Sequence, residues 1–441
     1  MLVRFSVQNF GSIKDKQTLS FEADKSKHLE DYYVIETNGL RLLKLGLIYG
    51  ANASGKTTIL KALDFLRTLI LYPKPQKTET FYFEPFLFDE NTPNENSIFE
   101  IEFIQNGVCY LYEIELNKEA IVREELFSYN PKKSNIFKRT TDLLSKFTKI
   151  EFGNKIKISK NSKDALENNT LWNNTVLGGY LKTNMDVDVF IDIMNWFSDY
   201  LSSMIEPKTE LEKMISTKLE KKEISKKIVL EILNKAGLNI SNIIFQEEII
   251  EMPNGLVDFI ENKKKYRPDD EKEISYKMMS GNKLSTINLK FEHSVSNKQY
   301  NLDYKQESQG TKRYYGIAGL LALLITKSAA YSIDELESSL HPDLFIHFLL
   351  SFLTNSKKSQ IIATTHNREI LNNKDIFRND AIWITDKGNA NCATELYSLA
   401  DFDTKVIRDT TNIYNAYKFG KLGGVPQLSD YYIDIENDEK K

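Results

Sequence analysis

Cysteine is nearly absent from this chain. Cys109 and Cys392 are the only two in 441 residues. They lie far apart and in no metal-type spacing, which excludes a disulfide scaffold and a cysteine-built metal centre and fits a reducing compartment. Long apolar runs are missing as well. No stretch reaches the ~18–20 residues that a membrane helix needs, and the longest candidate, 316–325, stops at Thr326-Lys327. The opening MLVRFSVQNF breaks its apolar pattern with Arg4 and Gln8 and offers no cleavage site, so no leader peptide is expected. Net charge is only −4, so any contact with nucleic acid has to come from a local patch. No internal repeat is present. These absences leave a soluble, cytoplasmic protein as the expectation. Apolar residues make up 41% of the chain, enough for a core, and the length suits one large domain with an insertion, or two domains.

What is present reads first as strands. VRFSVQNF alternates, turns at Gly11-Ser12, and alternates again in QTLSFEA. The run LLKLGLIYG is of the buried-strand kind and ends in glycine, and TTILKALDFLRTLI follows with helical spacing. FEIEF and VCYLYEIEL flank Gln105-Asn106-Gly107, a strong hairpin signal. Residues 132–163 hold ten lysines and arginines against Asp142 and Glu151. Residues 186–236 read as helical throughout, with Leu211, Met214/Ile215, Leu219, Ile228/Val229 and Ile232/Leu233 near a 3.6 period. Residues 253–275 are polar and read as a loop. Beyond them, strands (STINLKFEH, QYNLDYKQE) lead into an alternation: helix 312–328, strand 330–333, helix 342–355, strand 360–364, strand 381–385. Such βαβ alternation predicts a parallel sheet covered by helices. The last residues, IENDEKK, read as a charged, disordered tail.

Four segments carry chemistry. Gly50-Ala-Asn52-Ala-Ser54-Gly55-Lys56-Thr57 is a full G-x-x-x-x-G-K-[ST], set between a strand and a helix as the motif requires. Its glycines let backbone N–H groups close on phosphate at a helix N-terminus. Gly50, Asn52, Ser54, Gly55, Lys56, Thr57 and Thr58 are the candidate nucleotide ligands. Lys56 would reach the β and γ phosphates, and the Thr57 hydroxyl would serve Mg2+. The strand Ala329-Ala-Tyr-Ser-Ile ends in Asp334-Glu335, with Asp334 suited to Mg2+ and Glu335 to polarising the attacking water as general base. Alone, that pair reads as a solvated strand end; beside the phosphate loop it gains force. His366, at the end of the strand Gln360-Ile-Ile-Ala-Thr-Thr, stands where an open α/β sheet holds its ligands. Glu307-Ser308-Gln-Gly310-Thr311 opens an apolar helix. Ser308 with the Gly310 N–H would bind phosphate, and the competing account is an ordinary N-cap by Ser308 or Thr311.

The order of these segments, phosphate loop, Ser-x-Gly-Thr signature, Asp-Glu and then histidine, resembles an ABC-type ATPase of the SMC, RecF and OLD branch. NFGSIKD resembles the start of that branch, with Gly11 where arginine is usual. The stretch Asp334 to Pro342, with Leu336, Ser338, Leu340 and His341, and the stretch 413–426 resemble bacterial AAA family ATPases of the RloA, AbiLi and AriA kind. The resemblance covers about 1–127 and 280–428. It implies an α/β fold: an ABC-ATPase head with an antiparallel β subdomain and a mainly parallel core sheet flanked by helices, plus a helical insertion. The implied layout is 1–130 and 276–400 as two parts of the head, 131–275 as insertion, and 401–441 as a C-terminal extension. It implies ATP and Mg2+, turnover of ATP to ADP and phosphate, and a homodimer or higher even-numbered oligomer built on a nucleotide sandwich. In it Ser308, Gly310 and Thr311 act in trans, and Ser338 and His341 lie at the seam as a D-loop. No Q-loop glutamine can be placed; Gln76 lacks the context. Because only 75 residues follow His366, too few for a Toprim nuclease, the resemblance points to the sensor ATPase of an anti-phage, abortive-infection system with a separate effector such as a nuclease. Two alternatives stay open: a nucleotide-switched scaffold with little turnover, and a RecF-like repair ATPase contacting DNA through 132–163.

Overall fold

The computed structural model describes residues 1–129, 132–251, 276–279, 283–388, 391–402 and 412–426. Two sheets carry the architecture. One has seven antiparallel strands in the order Phe147–Phe152, Lys133–Asp142, Ile121–Tyr129, Val108–Leu116, Ser97–Gln105, Leu2–Gln8, Gln17–Ser20. The expected hairpin is there: Asn106 and Gly107 both take positive φ (49° and 76°), which is how a two-residue turn matches the strand twist. The other sheet has five strands in the order Ala330–Ile333, Gln360–Thr364, Leu45–Gly50, Ile382–Lys387, Thr394–Ser398. Its first four are parallel and the last is antiparallel.

The parallel strands are buried along their length because helices cover them, which is why they read as unbroken apolar runs rather than alternations. Parallel pairing has a chemical consequence. Three strands end at one edge, and there the chain delivers the phosphate loop, Asp334-Glu335 and Thr365-His366 side by side. The helix Lys56–Leu71 packs with Ile59, Leu60, Leu63, Leu66 and Ile70 inward, a 3.6-residue stripe. Its Phe65 joins Phe10, Phe83 and Phe99 in an aromatic cluster that welds it to the antiparallel sheet. Gln360 ties the two sheets together, donating to the Leu2 and Leu43 carbonyls and accepting the Leu2 N–H at 2.7 Å.

Among the described residues, the region 131–275 contributes strands as well as helices. Strands Lys133–Asp142 and Phe147–Phe152 extend the seven-stranded sheet across the expected boundary at 130, because the lysine-rich stretch alternates and turns Ile136, Phe137, Arg139 and Ile150 inward. Of its outward lysines, Lys138 pairs with Glu125, Lys146 with Glu119 and Lys149 with Glu151. A small second antiparallel sheet pairs Ile240–Glu251 with Lys283–Val295. Helices do form over 188–195, 211–220 and 226–235, but residues 201–210 are not helical. Proline at 207 cannot continue a helix, and the stretch before it lies along the edge strand instead. The Ser202 and Ile205 N–H groups bond to Ala330 and Ser332 carbonyls, and Arg67 and Asp64 of the phosphate-loop helix hold the Leu201 carbonyl and the Met204 N–H. The last two helices pack on the long apolar helix Gln309–Thr326, where the Ser216 and Tyr315 hydroxyls meet at 2.9 Å. The expected loop at 253–275 and the expected disordered tail lie outside the described residues.

Candidate nucleotide site

The phosphate loop is built by two glycines that nothing else can replace. A Cβ on Gly50 would stand 2.3 Å from the Thr385 hydroxyl and 2.4 Å from the Ser54 hydroxyl. Gly55 caps the helix at φ 102°, and a Cβ there would stand 2.1 Å from the Thr394 hydroxyl. Ser54 turns into the protein and shares a 2.6 Å hydrogen bond with Thr385, while Asn52 stays on the exposed outer rim. Thr58 meets the Ser12 hydroxyl at 3.1 Å, so the N-terminal turn braces the loop; Ser12 in turn accepts from Thr394. The buried Lys56 ammonium curls over the loop and donates to the Gly50 and Ala51 carbonyls, both at 3.0 Å. Burial lowers its proton affinity, and Asp334, Glu335 and Glu337 oppose that shift.

The carboxylates sit opposite. The buried Asp334 accepts from the Thr57 hydroxyl at 3.0 and 3.1 Å and from the Thr364 hydroxyl at 2.6 Å. That same Thr364 hydroxyl accepts the Glu335 N–H at 2.8 Å, so one side chain fixes both acids. Glu335 holds φ +48°, a strained backbone for a residue with a side chain, and such strain collects at functional turns. His366 follows at the rim. Burial first and Lys56 second lower its proton affinity, against Glu337, Glu335 and Asp334. Its N–H donates to the Glu337 carboxylate.

The remaining predicted residues group elsewhere in the chain. Ser308 is the N-cap of the helix Gln309–Thr326; its hydroxyl accepts the Thr311 N–H at 3.0 Å and meets the Thr311 hydroxyl at 2.8 Å. A Cβ on Gly310 would come 3.8 Å from the Ser339 carbonyl, so the signature adjoins the segment 338–341. The Ser338 N–H bonds to the Glu335 carbonyl, and His341 caps the helix Pro342–Asn355. Among the described residues no hydrogen bond joins Ser308, Gly310 or Thr311 to the phosphate loop of the same chain. Sequence reasoning missed Thr364, Glu337, Thr385 and Thr394, whose importance lies only in where the sheet puts them. It also left the 413–426 stretch without a place. Tyr417 there packs edge-on against Tyr49 at 5.9 Å and donates to the Gly424 carbonyl, and a Cβ on Gly424 would lie 3.4 Å from the Gly50 Cα.

An ammonium group over a glycine-bounded loop at a helix N-terminus, facing a hydroxyl and a cluster of carboxylates, is chemistry for a polyphosphate with a hard cation. Thr57 and Asp334 supply oxygen ligands of the type Mg2+ takes. Among the described residues no group of three or more acidic, histidine or cysteine side chains holds a metal unaided. Among the described residues no helix is long and apolar enough to cross a membrane.

Solved structures similar over 90% of this chain include an SMC head bound to the C-winged helix domain of ScpA (13% identity, TM-score 0.45, 97% of that chain) and the SMC head domain from Thermotoga maritima (14%, 0.42, 98%). A third is an Smc head with an extended coiled coil bound to the C-terminal domain of ScpA, from Pyrococcus furiosus (14%, 0.40, 96%). Likeness this distant says nothing of ligand or partner. No curated protein matches. One family does match, over residues 47–163 and 213–372, which is more than half of the chain and takes in the phosphate loop, the signature, both acids and His366. On that match the chain belongs to the family described as "AAA domain, putative AbiEii toxin, Type IV TA system".

Proposed function

We propose that this chain is an ABC-type ATPase that binds ATP with Mg2+ and hydrolyses it between two copies arranged head to tail. One observation supports the reading above the others: the unbroken hydrogen-bond chain from Thr57 through Asp334 and Thr364 to Glu335. It joins the phosphate loop to two strand ends and leaves Lys56 facing three carboxylates. In this reading the loop N–H groups and Lys56 hold the β and γ phosphates. Thr57 and Asp334 hold Mg2+, which when bound neutralises charge on the phosphate oxygens. Glu335 orients the attacking water and takes its proton, and His366 fixes the γ-phosphate from the rim. A second copy brings Ser308, Gly310 and Thr311 to the same phosphate, with Ser338 and His341 at the seam. That gives a role to a signature in which, among the described residues, the Ser308 and Thr311 hydroxyls bond to each other.

The family description names a toxin and a type IV toxin–antitoxin system. We place the chain with it as the regulatory ATPase of an abortive-infection system, acting on a separate effector such as a nuclease. The ion pairs of Lys138, Lys146 and Lys149 count against DNA contact through that stretch. The test is nucleotide binding and turnover in Lys56→Ala. Loss of ATP affinity with turnover at background is expected, and wild-type turnover in that variant would remove the phosphate-loop assignment.

A further inference from the structure

The geometry points to Glu337 as a positioning residue for His366, clamping the histidine's backbone to the segment that follows the two acids. The inference rests on the reading above and adds to it a link between subunit closure and the histidine. Three hydrogen bonds stitch residues 335–337 to the end of the strand Gln360–Thr364. The Glu335 N–H meets the Thr364 hydroxyl at 2.8 Å, the Leu336 N–H meets the Thr364 carbonyl at 3.1 Å, and the His366 N–H meets the Glu337 Oε1. The third differs from the others because a charged side chain makes it, and charge-assisted bonds are the short, strong ones.

A carboxylate is an expensive way to satisfy one backbone N–H. Glu337 Oε2 is buried and has no hydrogen-bond partner among the described residues. Desolvating an acceptor without a bond costs stability, so simple structural glue would use an amide or a hydroxyl. The charge has uses instead. It acts on Lys56 and on His366, raising the proton affinity of each against burial. The buried Tyr49 hydroxyl, itself without a hydrogen-bond partner among the described residues, also lies in its field. Glu337 therefore touches the histidine loop while its charge bears on the phosphate-loop lysine. It sits one residue before Ser338, where the second copy would press. Movement of the segment 335–341 on closure would carry His366 with it.

Three variants, hydrogen exchange resolved to the His366 amide and ATP kinetics test this. In Glu337→Ala the His366 amide should exchange roughly 10- to 100-fold faster, the loss of a charge-assisted bond. Its kcat should fall on the order of 10- to 100-fold, as misplacement of a reacting-site group does, while affinity for a fluorescent ATP analogue stays within about twofold. Glu337→Gln keeps an acceptor oxygen and should restore most of the amide protection and part of kcat. If the alanine variant does not fold, Glu337→Asp gives the same reading by shortening the reach. Wild-type exchange at His366 in both Glu337→Ala and Glu337→Asp would overturn the clamp. So would nucleotide affinity falling as far as kcat. A wild-type chain that binds no ATP would instead remove the proposed function, and the exchange data would still decide whether Glu337 holds the loop.

Discussion

Replacing Thr364 with valine keeps the shape of a fully buried side chain and removes one hydroxyl. That hydroxyl donates to Asp334 at 2.6 Å and accepts the Glu335 N–H at 2.8 Å. Losing a hydrogen bond to a charged group costs about 1.5–3 kcal/mol, and leaving a buried N–H without a partner costs about 1–3 kcal/mol. Because one group makes both bonds, the losses do not simply add, and about 3 kcal/mol is a fair total. An unfolding entropy of about 2.1 cal/mol/K per residue over 441 residues is about 0.9 kcal/mol/K. The melting temperature should therefore fall by about 3 °C. Turnover should fall much further, because Asp334 and Glu335 both lose their anchor and a misplacement near 1 Å costs on the order of 100-fold. The serine variant keeps the hydroxyl and should recover turnover to within a few-fold. Calorimetry with a phosphate-release assay at varied Mg2+ measures both effects. A valine variant that matches the wild type in melting temperature and in turnover would refute the view that Thr364 fixes the two acids.

Two further outcomes follow from other parts of the molecule. Burial raises the carboxyl of Glu124 from 4.5 to about 7, against the opposing pull of Arg139, the Val176 N–H and the Tyr112 hydroxyl. Its folded value being the higher one, folding takes up a proton. The stability this adds is full below pH 4.5 and is lost as pH climbs through about 7. Melting temperature should thus decline from pH 5 to pH 8 less steeply in Glu124→Gln than in the wild type, and equal slopes would contradict it. Ser308→Arg should leave nucleotide affinity of the isolated chain within about twofold and abolish turnover. Unimpaired turnover in that variant would count against a signature acting across two copies.

Much of the site was legible because its motifs are contiguous and stand where periodicity changes. Gly50 to Thr57 lies between a run of apolar residues and a helical stripe, and Asp334-Glu335 and His366 each end a short apolar run. Parallel strands then do the rest, since three such ends must share an edge. What stayed hidden depends on register between distant strands. Thr364 is one of two adjacent threonines before His366, and only its pairing with Ile48, one place past the Ala363–Ile333 pair, turns it toward Asp334. Thr385 and Thr394 face the phosphate loop for the same kind of reason. In the lysine-rich stretch the alternation rather than the charge sets the strands Lys133–Asp142 and Phe147–Phe152. The break at 201–210 was written in a proline and in main-chain bonds to an edge strand, which no helical period displays.

In the proposed enzyme four segments meet on one triphosphate shared by two copies. A crystal structure of the Glu335→Gln chain with ATP and Mg2+ would reveal that meeting. The expected result has Thr57 and Asp334 on the metal, Lys56 on the phosphates, and Ser308 of the partner subunit within hydrogen-bonding distance of the γ-phosphate. A nucleotide bound away from Lys56 and Asp334, or a γ-phosphate that no second copy approaches, would contradict it.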